Sequence, residues 1–394
     1  MSDRAHLTPS SEVLSRIHDL RKRLQSVDME GALLLSPQEC YYYSGIGIDG
    51  AVFVPAEGEP IHLIKRNLAF ACNHSALTRV QEFGKQSKIF ETLRVKSESK
   101  LAIEADLLPF SFVEYLQSRA GRIHLVDGSQ LFKQLRAVKS DYEIGLIGRA
   151  ARTIDRVFGF CEETAQPEMT EVELSSRLDS WLLQNGHDGF ITTHAFGSMM
   201  PQYSYVISST AAAMNTTFTP VSSTGLSLKY PYGPSRTRIG RGRPFLVDAC
   251  GNCRGYISDT TRTFVCGSFD KAARDQLDAL NQLRTLISRG LGPGVNLGEL
   301  YGHVLELARE LGIEEYFMGV GPDKVAFLGH GVGLELDDLP VFHARGPELL
   351  VGNTLACEPK LIIPGRRVLG IEDTYAVTRS GSRRLSKAPD SYEI

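Results

Sequence analysis

Over 394 residues the chain carries 42% hydrophobic and 23% charged residues with a formal net charge of -3, the balance of a folded protein long enough for two domains. That charge excludes a general attraction to nucleic acid or to an anionic membrane surface. No apolar run approaches the roughly 18 residues of a membrane span, and the opening MSDRAHLTPSSEV lacks the apolar stretch of a secretory signal, so the cytoplasm is the expected compartment.

The first predicted element is a helix with Pro9 near its first turn and Val13, Ile17, Leu20 and Leu24 on one face. Strand-like runs follow at 31–36, 50–58 and 60–64, then at 101–105 and 122–126 with the helical FSFVEYLQSR between them. This alternation predicts a small α/β domain over residues 1–137. The stretch LRAVKSDYEIGLIGRAARTIDRVFGFCEE then opens a long helix, with Ile147, Ala151, Ile154 and Phe158 at helical spacing, and a second domain runs over 138–394. A further helix starts at Thr170, which with Glu173 forms a capping-box pattern, and stops at Gly186. From about 190 to 265 the texture turns to β-branched and aromatic residues with many Gly and Pro, and two helical segments at about 270–289 and 298–311 precede a β-rich end. Helices outside a curved antiparallel sheet make this second domain α+β.

The stretch FLVDACGNCRGYISDTTRTF holds both a Cys-x-x-Cys, Cys250 and Cys253, and a pair of aspartates, Asp248 and Asp259. A structural zinc site needs two more ligands at matching spacing, and a redox pair belongs at a helix N-terminus, whereas this stretch reads as a β-hairpin. The seven cysteines are odd in number and scattered, which reads as reduced thiols, and these two as buried or turn residues. The aspartates lie 11 residues apart, and a hairpin folded about the Cys253–Arg254 bond sets them opposite each other. Like charges so placed repel unless a cation joins them or one carboxyl protonates, and a metal is the economical explanation.

The C-terminal third adds candidates. FLGHGVGLELDDLP places His330 between Gly329 and Gly331, where the backbone can approach another element closely. LACEPKLIIPG carries Glu358 after an apolar run, and VLGIEDTYAVT carries Glu372 within another strand, positions that are costly for a carboxylate unless it is paired or coordinating.

These five residues, in this order and spacing, resemble the ligand pattern of the pita-bread metallopeptidase superfamily, which includes aminopeptidase P, prolidase and methionine aminopeptidase, with creatinase as a metal-free relative. The match consists of the Asp pair, a His before a Gly-rich strand, Glu before Pro, and Glu in an Ile-Glu-Asp triplet 14 residues further on. YYYSG and LRAVKSDYEI resemble the creatinase-type first domain and its linker, so the likeness spans nearly the whole chain. It implies a creatinase-like N-terminal α/β domain and a pita-bread catalytic domain. It also implies two divalent ions, with Asp248 chelating, Asp259 and Glu372 bridging, His330 on one ion and Glu358 on the other. Manganese suits the oxygen-rich set, with cobalt, zinc and iron as further candidates. A bridging hydroxide would attack the carbonyl, because bound water has its pKa lowered from about 15.7 toward neutrality, and Glu358 would carry the proton to the leaving nitrogen. The implied substrate is a dipeptide or short peptide with proline after the scissile bond, and the implied assembly a homodimer.

Substrate handling departs from the pattern. The peptidases carry a His in a His-x-x-Pro-like stretch before the first Asp, where this chain has Tyr230 and Tyr232. A second His, seven residues after the metal-binding one, is replaced by Asp337, and the Gly usual after Glu-Pro is Lys360. Tyr232, His343 and His194 are candidates to substitute for the missing histidines. These changes keep two alternatives open: a hydrolase of a non-peptide C–N bond, creatinase-like or ectoine-hydrolase-like, and a non-catalytic binding protein on the same fold. The arginines at 236, 238, 241 and 243 read as a solvated loop, and Gly329-x-Gly331-x-Gly333 lacks the spacing of a dinucleotide fingerprint.

Overall fold

The computed structural model describes residues 7–85, 88–93, 95–194, 200, 202–208, 215–216 and 219–394. The chain divides into two compact units, Met1–Arg136 and Ala137–Ile394. Among the described residues no helix is long and apolar enough to cross a membrane.

The first unit contains, in order, α1 (Ser10–Ser26), β1 (Gly31–Leu34), α2 (Pro37–Ser44), β2 (Gly50–Pro55), β3 (Ile61–Ile64), α3 (Leu68–His74), β4 (Val80–Glu82), α4 (Ile89–Leu93), β5 (Lys100–Ile103), α5 (Phe110–Arg119), β6 (His124–Asp127) and α6 (Ser129–Ala137). Its six strands form one mixed sheet in the order β4-β3-β2-β1-β5-β6. The predicted apolar face of α1 is buried at all four positions, each such side chain contributing about 1.5–3 kcal/mol of transfer free energy.

The second unit opens with α7 (Asp141–Thr164) and α8 (Glu171–Gln184), followed by β7 (Ser204–Ser208), β8 (Pro244–Cys253) and β9 (Tyr256–Val265). Then come α9 (Lys271–Gly290), α10 (Leu297–Glu310), β10 (Phe327–Gly331), β11 (Asp338–His343), β12 (Thr354–Cys357), β13 (Lys360–Ile363), β14 (Arg367–Gly370), β15 (Asp373–Thr378), β16 (Gly381–Arg384) and β17 (Ser391–Glu393). Four strands form a sheet in the order β17-β9-β8-β7, five form another in the order β11-β10-β12-β15-β16, and β13 pairs with β14. Each larger sheet has its own pair of helices. Ile154, Phe158, Leu174 and Leu178 of α7 and α8 share a core with Phe245, Val247 and Phe264. Leu280, Leu283, Leu300 and Val304 of α9 and α10 share another with Leu328, Leu355 and Tyr375.

Helix starts follow the expected chemistry. Thr170 accepts from the Glu173 amide while the Glu173 carboxylate takes the Thr170 amide, a complete capping box. The long helix begins later than predicted: Leu135–Ala137 belong to α6, and Ser140 and Glu143 form a second capping box that starts α7 afresh. The stretch expected to be β-rich from 190 contains strand only at β7 and from β8 onward; between them the described residues form loops with isolated bridges.

The hairpin register also differs from expectation. Arg254 and Gly255 both have positive φ, 54° and 80°, the geometry of a two-residue turn whose twist matches the strands. Cys253 therefore pairs with Tyr256, which sets Asp248 against Thr261 and Asp259 against Cys250. The two aspartates are diagonal neighbours on one sheet face, a closeness of about 7–8 Å between backbone positions.

Candidate metal centre

Five of the predicted side chains converge where the two larger sheets meet. Asp248 is on β8, Asp259 on β9 and His330 on β10; Glu358 directly follows β12, and Glu372 lies in the two-residue junction between β14 and β15 instead of within a strand. The glycines beside His330 permit this approach. A Cβ on Gly329 would run into the Ala356 carbonyl of β12, and one on Gly331 into the Leu339 carbonyl. The two sheets are stitched at the same place: Thr374 Oγ1 accepts from the Asp259 amide at 3.0 Å and donates to its carbonyl at 2.8 Å, and the Glu372 amide donates to the Thr261 carbonyl at 3.1 Å.

The donor atoms point at one another. Single ligand atoms of Asp259, His330 and Glu372 all lie within 4.8 Å of each other. His330 Nε2 is 3.9 Å from both Asp259 Oδ2 and Glu358 Oε1. His330 Nδ1 sits 3.1 Å from the Gly331 carbonyl; donating there leaves the Nε2 lone pair facing the carboxylates, the tautomer a metal ligand needs. Glu372 Oε2 accepts from Thr261 Oγ1 at 2.6 Å, whereas Oε1 is buried with no hydrogen-bond partner. An orphaned carboxylate oxygen in the interior carries a desolvation cost of about 1–3 kcal/mol or more, which a cation would remove. His330 and Glu358 thus face a shared position, where the resemblance had implied separate ions. The residues fit a divalent ion bound through Asp259, His330, Glu358 and Glu372.

Electrostatics agree with that arrangement. Burial raises the Glu372 carboxyl; the attraction of Lys360 opposes this, the repulsion of Glu358 and Asp248 adds to it, and the result is about 7. Burial, then Glu372 and Asp248, push Asp259 well above the ordinary carboxylate range. His330 adds a small pull on Glu372, and the side chain that moderates this crowding most is Lys360, which is 1% exposed. Its Nζ lies 3.1 Å from Asp248 Oδ2, 2.7 Å from Glu358 Oε2 and 3.2 Å from Glu372 Oε2. Burial works against its charged form, but those three carboxylates hold the ammonium well above its usual range. Sequence reasoning noted Lys360 as a departure without giving it a place. Its place depends on contacts the linear chain does not display: Lys360 opens β13, while Glu358 lies just past β12 with Pro359 between them.

A cavity of about 360 Å³ opens over this cluster. Its walls include Tyr203, Tyr205, Tyr230, Tyr232, Phe327 and Val341, with Asp337 beside them. Of the substrate-binding candidates, Tyr232 lines the cavity, packed edge-on against Tyr230 at 5.5 Å. His343 does not: it pairs with Phe327 across β10 and β11, and its Nδ1 accepts from the Arg345 amide at 2.9 Å. Nor does His194, whose amide donates to Asp337 at 2.6 Å while its ring meets the buried Glu335 at 3.1 Å. Sequence reasoning missed Glu171, fully buried at the start of α8, which accepts from the amides of Ser208 and Ser235 and the hydroxyls of Ser223 and Ser235. It ties down the ends of the loop that presents Tyr230 and Tyr232. Cys250 is buried with Sγ 3.5 Å from Asp259 Oδ1, its thiol pushed well up by burial and by the carboxylates. The cysteine pair is not a disulfide, and the four arginines of the 236–243 loop are exposed.

Comparison with known proteins agrees with this architecture. The Xaa-Pro dipeptidase of Pyrococcus furiosus is 25% identical over 375 residues, which cover 94% of this chain and 97% of that protein. The Xaa-Pro dipeptidase of Pyrococcus horikoshii is 26% identical over 364 residues, or 91% and 93% of the two chains. Among solved structures, a prolidase from Pyrococcus horikoshii superposes with a TM-score of 0.78 at 23% identity, covering 95% of this chain and 99% of that one. An X-Pro aminopeptidase from Thermotoga maritima gives 0.78 at 20% identity, covering 94% and 99%. The fold is the α+β pita-bread arrangement behind a creatinase-type first domain. Residues 16–138 match the Creatinase/Prolidase N-terminal domain and residues 145–379 match Metallopeptidase family M24, so the chain belongs to metallopeptidase family M24.

Proposed function

We propose that this protein is a divalent-metal-dependent peptidase that cleaves the bond before proline in dipeptides or short peptides, the activity for which its Pyrococcus relatives are named. The observation that carries this reading is the convergence of Asp259, His330 and Glu372, with an orphaned Glu372 oxygen, where Asp259 and His330 line a cavity of about 360 Å³. A divalent ion there supplies Lewis acidity toward a carbonyl oxygen and makes bound water acidic. Glu358, buried with Oε1 turned toward His330, would accept a proton and return it to the leaving nitrogen. The Tyr232 hydroxyl side of the cavity would steady the developing oxyanion in place of the family's histidine. Of the two ions that the resemblance implies, this reading takes one. Manganese, cobalt, iron or zinc each suits a set of carboxylates and one imidazole, and manganese is the ion to load first. Seven unpaired cysteines suit a reducing compartment such as the cytoplasm. The homodimer is an expectation to be read from light scattering on the purified protein.

A second reading rests on a separate feature. Among the described residues lining the cavity the only basic side chains are His330 and Lys360, both turned to carboxylates, and no arginine is present. A dipeptide ending in proline brings a free carboxylate that finds no arginine or unengaged lysine among the described lining residues, whereas tyrosines and acids favour a neutral or cationic group. A longer peptide, or a non-peptide amide or amidine, satisfies that wall better.

Proline release from Xaa-Pro dipeptides, longer Xaa-Pro peptides and their amides, after manganese loading and with Asp259→Ala as control, tests both. Release that vanishes in the control establishes the peptidase, and a preference for amidated or longer substrates favours the second reading within it. No release from metal-loaded protein on any of them refutes the first.

A further inference from the structure

We infer that the centre binds one divalent ion per chain, because the Lys360 ammonium permanently fills the position of a second. This rests on the metal-site reading above. An ammonium has three N–H donors, and three carboxylate oxygens, from Asp248, Glu358 and Glu372, surround Nζ at 2.7–3.2 Å. Two of these contacts are hydrogen bonds and the third, to Glu372, is an ion pair, so Nζ occupies the point between the three oxygens where a second divalent ion, at about 2.0–2.6 Å from its ligands, would have to sit.

The lysine is built in. Its side chain is 1% exposed, β13 pairs it with Gly370 of β14, and a Cβ on Gly370 would meet Lys360 Cγ at 2.8 Å, so the glycine makes room for the stem. The remaining donors lie apart from it. Glu358 and Glu372 each spend one oxygen on Lys360 and keep the other, Oε1, with Glu372 Oε1 unpartnered and Glu358 Oε1 turned to His330. Asp248, the residue that would chelate only the second ion, touches Lys360 and lies outside the Asp259–His330–Glu372 group. Charge allows this arrangement: four carboxylates facing one ammonium and one divalent ion keep a residual of a single negative charge. The lysine therefore does by covalent attachment what a second metal does elsewhere: it neutralises Asp248 and holds Glu358 and Glu372 in register for the ion that remains.

The test is metal stoichiometry, read by elemental analysis of protein dialysed against manganese, together with the manganese electron paramagnetic resonance spectrum, which separates an isolated ion from a spin-coupled pair. Wild type should hold one isolated ion, His330→Ala none, and Lys360→Gly two coupled ions, with circular dichroism checking that each variant is folded. Two coupled ions in wild type overturn the role of Lys360 but leave the metal site standing. One ion in a folded Lys360→Gly shows that the lysine is not what limits the count. No ion in wild type refutes the metal reading itself, and the inference with it.

Discussion

Replacing Arg262 with methionine removes the cation that ties the metal-centre strands to the rest of the second unit. The guanidinium is fully buried. Nε donates to the Pro389 carbonyl at 2.6 Å, Nη1 to the carbonyls of Thr261 and Glu372 at 2.8 and 2.6 Å, and Nη2 to Asp373 Oδ1 at 2.6 Å. Breaking a buried pair from one side costs about 3–5 kcal/mol. Asp373 keeps Arg284 and Arg384 at 3.4 and 3.5 Å, which favours the lower end. The Thr261 carbonyl keeps the Glu372 amide, but the Glu372 and Pro389 carbonyls lose a charged donor, each worth about 1–3 kcal/mol when buried. Methionine's apolar contacts return part of this, so we expect a loss of about 4–6 kcal/mol. At about 2–3 kcal/mol per molar urea, the midpoint for the second unit falls by roughly 2 M. Urea unfolding followed by circular dichroism on metal-free protein measures it. Arg262→Lys should recover little, because an ammonium cannot meet four acceptors arranged around a planar fork. In Arg262→Met/Asp373→Asn the two losses should not add, since the orphaned charge is gone. A loss below about 1 kcal/mol, or additive losses in the double variant, would refute the role of Arg262 as the buried cation that ties these strands together.

Three further outcomes are expected. Gly329→Ala drives a methyl group into the Ala356 carbonyl, so it should cost about 1–3 kcal/mol and weaken manganese affinity by displacing His330; an unchanged melting temperature with unchanged affinity contradicts this. Thr170→Ala removes the hydroxyl that accepts from the Glu173 amide, and should cost about 1 kcal/mol in denaturant unfolding, with Thr170→Ser restoring most of it. His62 is buried in β3 with Nδ1 3.1 Å from Ser75 Oγ, and burial lowers its pKa from 6.5 to about 4. Between those values the unfolded chain binds the proton that the folded one refuses, so this contribution is intact above pH 6.5 and is lost as pH falls toward 4, by about 3 kcal/mol. His62→Gln should flatten that part of the pH profile; a profile as steep as wild type shows the slope to come from other groups.

Much of the molecule was legible in the linear chain wherever a local rule decides. The apolar stripes of α1 and α7, the Thr170–Glu173 capping box and the hairpin between β8 and β9 depend on residues within a turn or two of each other, so periodicity and capping chemistry predict them. The five candidate side chains were legible for a different reason: carboxylates and an imidazole set among apolar residues are too costly to leave without a partner, so their presence there signals a cluster.

What the chain could not reveal depends on contacts between distant segments. Two left-handed residues at the turn, Arg254 and Gly255, shifted the strand register and turned an opposed aspartate pair into a diagonal one. His343 and His194 were plausible by residue type, but a ring's partner is chosen by packing, and theirs are the Arg345 amide and Glu335. Nor does composition distinguish an arginine in a solvated loop from Arg262, which is fully buried among carbonyls contributed by residues 261, 372 and 389. Lys360 is the sharpest case. Its identity was visible beside Glu358, but only the folding of β8, β12 and β14 around one point brings three carboxylates to a single ammonium, because electrostatic partnership is settled by distance in space and burial, and neither is written in the spacing of residues along a strand.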